Sequence, residues 1–374
     1  MIPMLLLVTT YTYLSLSLFG PWYASDRNAF FLGSSLLLLI FSGQAWLFFV
    51  FFRSAADADL KFERSLQKFA FAGMGVISFL FTFTILRDLG GILLAWSGSS
   101  REALYSNSAI ATILLLSLGC LIRGSFNARF RITTPKVRIQ IPELPNELEG
   151  LRIVQLSDLH LGTGPDLPRI RSIMDKALEL SPDLLVLTGD IIDGSPSLLS
   201  AELEELSRLK ARLGVFFVLG NHECYWVAEK SIEAIRRIGF TPLLNEGVTL
   251  EVSGKKIYIG GVTDPAAKYF GGEVPRIPDP DLTSSLRILL AHQPQIAKQA
   301  AQHPYHIQLS GHTHGGQFFP WNWVVRGIYL HPGGLGRLQD LQVYVSHGTG
   351  FWGPPLRLGT DGEITTLEMI RMSS

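Results

Sequence analysis

The stretch IVQLSDLHLG, residues 153–162, is the first indication of the fold class of the C-terminal part of the chain. It is an apolar run that ends at Leu156 and is followed at once by Ser-Asp-Leu-His, a pattern typical of a strand with polar side chains at its end. The same order of apolar run and polar cluster returns four more times along the chain. The later clusters are GDIID at 189–193, GNHE at 220–223, AH at 291–292 and GHTH at 311–314.

The segments between these runs predict helices. Residues 167–180 and 198–213 carry apolar side chains spaced three and four apart, and strands that alternate with helices predict an α/β domain. The segment 248–262, with Ser253 and Gly254 at its centre, predicts a β-hairpin, so we expect a mixed sheet. Ligands of open α/β sheets bind at the carboxyl ends of strands, which is where the polar clusters lie.

The composition of the chain excludes several classes of function. The 374 residues include 32 Lys and Arg against 32 Asp and Glu, so the basic excess that neutralises nucleic-acid phosphates is missing and we expect no nucleic-acid partner. The two cysteines, Cys120 and Cys224, cannot build a disulfide framework or a thiolate metal site. A metal would therefore need oxygen and nitrogen ligands.

The polar clusters supply the ligand types of a two-metal site. Two divalent cations about 3.5–4 Å apart need a bridging carboxylate with oxygen and imidazole ligands, and they act on both the attacking and leaving oxygens of a phosphoryl displacement. Manganese, iron or zinc suit these ligands better than copper(I), and several imidazoles argue against a magnesium-only site. We therefore expect two divalent ions, manganese first, with iron or zinc as alternatives.

The ordered set DxH, GDxxD, GNHE, an isolated His and GHTH resembles the calcineurin-like metallophosphoesterase superfamily over residues 151–370. The resemblance implies an αββα sandwich with a dinuclear metal centre, and it implies a role for each matching residue. The first ion would be bound by Asp158, His160 and His314, the second by Asn221, His292 and His312, and Asp190 would bridge them. His222 would protonate the leaving oxygen, and Asp193 would orient His222.

One departure from the superfamily pattern bears on the substrate. The protein Ser/Thr phosphatase branch carries an Arg directly after the second Asp of GDxxD, whereas this chain has Gly194 there, which disfavours a phosphoprotein substrate. The sequences of residues 153–162 and of SGHTHGGQ at 310–317 are similar to those of a bacterial membrane-associated branch of the superfamily. That branch includes UDP-2,3-diacylglucosamine pyrophosphatase-type enzymes, so the resemblance implies a lipid-linked substrate at the bacterial inner membrane.

The N-terminal part differs in composition. Residues 1–125 hold only 14 charged side chains, and charge-free stretches of 19, 24, 18 and 17 residues lie at 1–19, 29–52, 69–86 and 106–122. A membrane-spanning helix needs about 20 apolar residues, so these stretches predict four transmembrane helices. The first could instead be a signal peptide, but Gly20, Pro21 and Trp22 stand where a small-residue cleavage site is expected.

Basic residues predict how these helices are oriented. The loop 53–68 and the segment after the fourth stretch together carry nine Lys and Arg, whereas the opposite side carries three, Arg27, Arg87 and Arg101. By the positive-inside rule, the C-terminal domain should face the cytoplasm. Arg87 and Asp88, at the end of the third stretch, are predicted to be an interfacial pair, which favours an anchor over a transport pathway.

The predicted organisation is a transmembrane anchor at 1–125, a basic, Pro-containing connector at 126–150 and a metallophosphoesterase domain at 151–374. The expected function is hydrolysis of a phosphodiester or pyrophosphate bond in a lipid-linked substrate at the bilayer. The alternatives are hydrolysis of a soluble phosphoester such as a cyclic nucleotide, and an inactive membrane scaffold or sensor. The aromatic run 318–325 is either core or a lipid-facing rim, and His347 and Arg357 are candidate phosphate ligands.

Overall fold

The computed structural model describes residues 2–53 and 61–372, and the chain divides into two compact units. The helical unit comprises Met1–Phe126 and Gly353–Leu356, and the sheet unit comprises Asn127–Trp352 and Arg357–Ser374. Each unit has an apolar core of its own.

The helical unit contains long apolar helices. Within the described residues, three are long and apolar enough to span a membrane, namely Arg27–Leu47, Leu66–Trp96 and Asn107–Phe130, and they coincide with three of the four predicted spans. The first predicted span is also helical, but Met4–Phe19 is shorter. In the basic loop 53–68, residues 54–60 lie outside the described part of the chain. The helices are Ile2–Leu14, Trp22–Ser25, Arg27–Arg53, Lys61–Trp96 and Asn107–Phe130, with a π-helical turn at Ser15–Phe19.

Arg87 and Asp88 lie inside the helical unit, because the helix that carries them continues to Trp96. Arg87 is 7% exposed, and its Nε donates to Asp88 Oδ1 at 2.9 Å. Its Nη2 donates to Ser17 Oγ at 2.7 Å, and Tyr13 Oη donates to Asp88 Oδ2 at 2.7 Å. Arg87 is buried and Asp88 is half-buried, and their hydrogen bonds to Ser17 and Tyr13 connect the first helix to a later one. The interfacial placement of the pair stays a prediction.

Two six-stranded mixed sheets form the sheet unit. In the first sheet, Arg152–Leu156 pairs in parallel with Leu184–Thr188 and antiparallel with Thr365–Arg371. In the second sheet, the predicted hairpin is the antiparallel pair Glu246–Val252 and Lys255–Gly261. The α/β class and the mixed sheets are therefore confirmed. From edge to edge, the first sheet is Lys136–Ile141, Thr365–Arg371, Arg152–Leu156, Leu184–Thr188, Val215–Val218 and Thr241–Pro242, and the second is Gly334–Leu338, Leu341–Val345, Ile307–Ser310, Leu286–Leu290, Lys255–Gly261 and Glu246–Val252.

Alternating side chains along each strand build two cores at once. Leu184 and Val186 enter the core between the sheets, whereas Leu185 and Leu187 enter the core beneath the helices. Each fully buried aliphatic side chain of this kind contributes roughly 1.5–3 kcal/mol, so the alternation holds the layers together. The sheets pack face to face with helices outside, in αββα order. The helices are Leu167–Glu179, Ser200–Leu206, Asn221–Tyr225, Ala228–Arg237, Ala297–Ala300 and Trp321–Ile328.

The segment 126–150, predicted as a connector, contains regular structure. Helix Asn107–Phe130 runs into it, and the strand Lys136–Ile141 follows. This strand forms an edge of the first sheet by pairing in parallel with Thr365–Arg371, near the other end of the chain. A pairing across so much intervening sequence leaves no local pattern, which is why the segment reads as a connector.

Candidate metal centre

The loops that follow five strands bring the polar clusters together. The central strands of each sheet run in parallel, so their carboxyl ends share one edge, where ligands of such sheets bind. The residues at this edge are Asp158 and His160 after Arg152–Leu156, Asp190 and Asp193 after Leu184–Thr188, Asn221 and His222 after Val215–Val218, His292 after Leu286–Leu290, and His312 and His314 after Ile307–Ser310.

Asp158, His160 and His314 form a first group of potential ligands, with one atom from each lying within 4.8 Å of the others. His160 Nε2 lies 3.1 Å from His314 Nε2, and His314 Nε2 lies 3.4 Å from Asp158 Oδ1. All three residues are buried. Two imidazole nitrogens and a carboxylate oxygen at these distances suit a divalent ion that takes nitrogen and oxygen ligands.

Asp190, His292 and His312 form a second group. His292 Nε2 lies 3.2 Å from Asp190 Oδ2, and His312 Nδ1 lies 2.9 Å from Asn221 Oδ1. Asp190 Oδ2 also lies 3.9 Å from Nε2 of His160, a member of the first group. One carboxylate therefore stands between the two groups, the position that a bridging ligand needs.

The donor atoms of both groups fit bound cations. In the ion pairs formed by the described residues, Asp158 and Asp190 meet imidazoles only. Carboxylate oxygens and imidazole nitrogens are ligands that manganese, iron and zinc accept, so this donor set fits metal ions. Cys224, which adjoins the site, does not fit the role of a ligand, because burial raises the pKa of its thiol and its Sγ donates to Gly220 O at 3.4 Å.

His222 and Asp193 form a pair beside the two groups. His222 Nδ1 lies 3.0 Å from Asp193 Oδ1. Burial disfavours the imidazolium, but the charges of Asp193 and Asp190 outweigh burial and raise the pKa of His222 to about 9. In this environment His222 holds a proton at neutral pH, as a proton donor must.

Asp193 is held from three further directions. Thr163 Oγ1 donates to Asp193 Oδ2 at 2.5 Å, Trp226 Nε1 donates to Oδ1 at 2.7 Å, and His160 Nδ1 lies 3.2 Å from Oδ2. Burial opposes ionisation of this carboxyl, yet His222 and His160 hold its pKa well below the usual value. Asp193 therefore stays ionised and fixes both imidazole rings.

The other imidazoles differ in how readily they lose a proton. Burial and then the charge of His292 lower the pKa of His312 to about 4, and burial with the charge of Arg357 lowers the pKa of His314. Burial acts in the same direction on His292, but the charge of Asp190 outweighs it and raises the pKa of His292 well above the ordinary value. Because metals bind neutral imidazole, His292 must release a proton when an ion binds.

The backbone at the candidate ligands is strained. Five of the seven have positive φ, in the left-handed region that non-glycine residues rarely adopt. Each such residue costs about 1–3 kcal/mol and persists where the surrounding structure enforces it, most often at functional sites. The φ angles are 53° at Asp158, 51° at His160, 54° at Asp190, 73° at His312 and 50° at His314.

Two glycines allow the backbone to pass close to the ligands. A Cβ atom at Gly220 would lie 2.1 Å from Asp190 Oδ1, and one at Gly311 would lie 2.3 Å from Asp158 Oδ2. These distances are far below van der Waals contact, so a side chain at either position would displace a carboxylate of the site. The glycines of GNHE and GHTH are thus required by close packing.

Glu223, the last residue of the GNHE cluster, is buried beside the site. Its buried carboxylate accepts hydrogen bonds from the backbone N–H groups of Asp190, Ile191, Ile192 and Gly220 at 2.7–3.0 Å. Burial and then the charge of Asp190 raise its pKa to about 7. It fixes the loop that presents Asp190, and its place as the third residue of a helix capped by Gly220 is a sequence signal for this role.

Arg357 does not occupy the position of a phosphate ligand, which corrects the expectation from the sequence. It is 1% exposed, and its Nη1 donates to His314 O at 3.1 Å and to His347 O at 2.7 Å. Its Nη2 donates to Gly348 O at 3.2 Å. The guanidinium is committed to backbone carbonyls and ties the His314 turn to the loop that contains His347.

The aromatic run 318–325 divides into core and surface. Phe318 is buried at 5% exposure, whereas Trp321 and Trp323 are 47% and 65% exposed. The two tryptophans lie on the helix Trp321–Ile328, and Trp323 packs its ring against Phe319 with centroids 5.0 Å apart. Phe318 is therefore core, whereas the lipid-facing rim stays a prediction for the exposed Trp321 and Trp323.

Comparison with known proteins identifies the family. Residues 151–316 match the calcineurin-like phosphoesterase family. A transmembrane protein with metallophosphoesterase domain from Danio rerio is 36% identical over 321 residues, which cover 81% of this chain and 73% of that protein. An uncharacterized metallophosphoesterase from Campylobacter jejuni is 32% identical over 348 residues, which cover 90% and 88%.

The fold, the site and these matches define a metal-dependent phosphoester hydrolase that carries apolar helices. The chain belongs to the calcineurin-like metallophosphoesterase superfamily. It is a metal-binding membrane protein of that superfamily.

Proposed function

We propose that the protein is a membrane-anchored, dinuclear-metal hydrolase of a phosphodiester or pyrophosphate bond in a lipid-linked substrate such as UDP-2,3-diacylglucosamine. The observation that carries this proposal is the meeting of the two ligand groups at Asp190, with His222 beside them. The substrate class rests on the resemblance of 153–162 and 310–317 to the bacterial membrane-associated branch. Manganese is the first choice of metal, with iron or zinc as alternatives.

The two groups divide the binding of the ions. One ion would be held by Asp158, His160 and His314. The other ion would be held by Asn221, His292 and His312, and Asp190 would bind both ions. When bound, such ions supply Lewis acidity to a phosphoryl oxygen and a nucleophile from water at neutral pH. The strained backbone at most of these ligands supports their pre-organisation for this role.

His222 would donate a proton to the oxygen of the leaving group. Its Nδ1 faces Asp193 at 3.0 Å, which leaves Nε2 on the side of Asp190, 4.0 Å from Oδ2 of that residue. Asp193 fixes the ring and stabilises the imidazolium, and Thr163 and Trp226 keep Asp193 in place. General-acid catalysis of this kind contributes typically about 10²–10⁴-fold to the rate.

The membrane would present the substrate to the site. Trp321 and Trp323 are exposed on one short helix that follows the GHTH turn, and tryptophan prefers the membrane–water interface. Acyl chains could stay in lipid against these rings while the phosphates reach the metal ligands. The helix Met4–Phe19 would complete four spans. The nine-to-three ratio of basic residues supports a sheet unit on the cytoplasmic side of a bacterial inner membrane.

Hydrolysis of an aryl phosphodiester by the full chain, with and without manganese, tests for the enzyme. Manganese-dependent turnover is expected, and an inactive scaffold would give none. A lipid phosphodiester in vesicles and a small soluble one then test the substrate class. Replacing Trp321 and Trp323 with Ser should raise the apparent KM for the lipid substrate alone, with Leu282→Ser, at a 71% exposed position, as the control.

Equal losses on both substrates would assign the tryptophans a structural role, and a strong native preference for the soluble compound would reject lipid presentation. A reporter fused to the C-terminus tests the orientation separately. Reporter activity only outside the cytoplasm would overturn the cytoplasmic assignment.

A further inference from the structure

Aromatic rings line the side of the site on which His222 lies. The His222 ring centroid is 5.1 Å from that of Tyr225 and 5.4 Å from that of Trp352. Tyr225 in turn lies 5.4 Å from Phe270, which is 55% exposed. Tyr225 and Trp352 each lie beside the proton donor, and Phe270 extends the Tyr225 side toward the surface; we call these three residues the aromatic wall.

The wall is held in place by hydrogen bonds at its base. Gln317, next to the GHTH turn, clamps the backbone of Trp352, since its Nε2 donates to Trp352 O and its Oε1 accepts from Trp352 N, both at 2.9 Å. Asn221 Nδ2 donates to Tyr225 Oη at 3.3 Å. Residues that present candidate ligands therefore also position the rings, and fixed rings bind a flat partner at a low entropic cost.

The opposite side of the site has a different character. The Tyr329 ring lies 6.1 Å from that of His312 and directly follows the helix Trp321–Ile328. On that helix Val324 and Ile328 are 43% and 72% exposed, so the surface beyond His312 is aliphatic as well as aromatic. On the His222 side, by contrast, the neighbouring rings of Tyr225 and Trp352 carry polar atoms at their edges, such as Tyr225 Oη.

We propose that the aromatic wall binds a flat aromatic group, an aryl ring or nucleobase, on the departing side of the substrate. The inference rests on the proposed function, because it takes His222 as the donor to the leaving oxygen and so places the leaving group along the wall. Stacking on an aromatic side chain tolerates any flat ring. An acyl chain would find its apolar surface beyond His312 instead.

Calorimetric titration of the manganese-loaded full chain with phenylphosphonate and butylphosphonate tests the wall without turnover. The wild-type protein should bind phenylphosphonate about tenfold more tightly than butylphosphonate, the lower part of the range for stacking on an aromatic side chain. Trp352→Leu and Phe270→Leu should each reduce this preference toward unity while butylphosphonate affinity is retained. Both variants stay apolar, and the Gln317 clamp holds only backbone atoms of Trp352. Trp96→Leu, at a 91% exposed position of the helical unit, is the matched control.

Equal affinity for the two phosphonates, or a preference that survives both leucine variants, would overturn the wall as a ring-binding site. Binding of inorganic phosphate to the metal-loaded protein distinguishes an error in the aromatic wall from an error in the proposed function. If phosphate binds the metal-loaded protein but the ring preference is missing, only the wall is wrong. If neither phosphate nor either phosphonate binds, the proposed function falls and the inference falls with it.

Discussion

The two units both bury charged side chains, but they neutralise them differently. In the helical unit, Arg87 Nη2 and Asp88 Oδ1 lie 2.8 Å apart, so the chain itself supplies both charges. In the sheet unit, Asp158 and Asp190 meet imidazoles only, in the ion pairs of the described residues. Two of the imidazoles around them, His312 and His314, have lowered pKa values and favour the neutral form.

The difference separates a structural cluster from a site that needs a ligand. The opposite charges of Arg87 and Asp88 lie within hydrogen-bond distance and neutralise each other without any added group. At the candidate metal groups, the neutral imidazoles of His312 and His314 can bind a cation directly, whereas His292 must first release its proton. The backbone agrees, because positive φ angles recur at the candidate ligands, whereas Arg87 and Asp88 lie in a regular helix.

Asp190→Asn should have the largest effect. Changes to groups behind a ligand cost about 10–100-fold, so loss of a charge shared by two ions should exceed that and bring turnover to background. Metal content should fall while the protein stays folded and membrane-inserted, as judged by circular dichroism and gel filtration in detergent. Asp340→Asn, at a fully exposed position, is the control. Near-normal activity with both metals retained would rule out Asp190 as the bridge.

His222→Ala tests whether His222 is a proton donor or a metal ligand. This variant should keep both metals and lose about 10²–10⁴-fold in rate, because it removes a proton donor and leaves the ligands in place. The loss should be most severe for substrates with poor leaving groups, measured as a series of aryl phosphodiesters. A variant that arrives without metal would show that His222 is itself a ligand.

Arg87→Leu tests the other side of the comparison. It leaves Asp88 unpaired among apolar helices, which costs roughly 2.5–3.5 kcal/mol and should lower the thermal midpoint in detergent. Metal content and turnover per folded molecule should not change. The double variant Arg87→Leu with Asp88→Leu should recover part of the stability, since no buried charge remains. If the loss of stability in the double variant equalled the sum of the losses in the two single variants, Arg87 and Asp88 would not stabilise the protein through their interaction.

Glu223→Gln should have the smallest effect of the series. The amide keeps the shape of the side chain, but its NH2 group cannot accept, so two of the four backbone N–H groups that donate to Glu223 lose their acceptor. Metal affinity should fall by about 10–100-fold, measured by competition with a chelator. Glu229→Gln, at an exposed position on the next helix, should leave affinity unchanged. Equal metal affinities in the two variants would show that Glu223 does not stabilise the metal site.

Much of the sheet unit could be predicted from the sequence because its signals are local. A strand that ends in Asp or His places those side chains at the carboxyl edge whatever the rest of the chain does, so Asp158, Asp190 and His292 could be expected to lie together. The hairpin around Ser253 and Gly254 is local in the same sense.

The features that could not be predicted depend on contacts between distant parts of the chain. The hydrogen bond from Arg87 to Ser17, which lies 70 residues earlier in the chain, has no signal in the sequence. Arg357 reads as a free cation until the carbonyls of His314 and His347 surround it. The aromatic wall combines Tyr225, Phe270 and Trp352 from three separate segments, and no spacing in the sequence relates them.

Anomalous diffraction at the manganese edge, from crystals of the full chain grown with Mn²⁺, tests whether the sheet unit binds two metal ions bridged by Asp190. Two peaks per chain are expected, separated by about 3.5–4 Å and with Asp190 between them. The Asp158, His160 and His314 side chains should flank one peak, and the Asn221, His292 and His312 side chains the other. A single peak, or two peaks that do not share Asp190, would contradict the account of the sheet unit as a dinuclear centre.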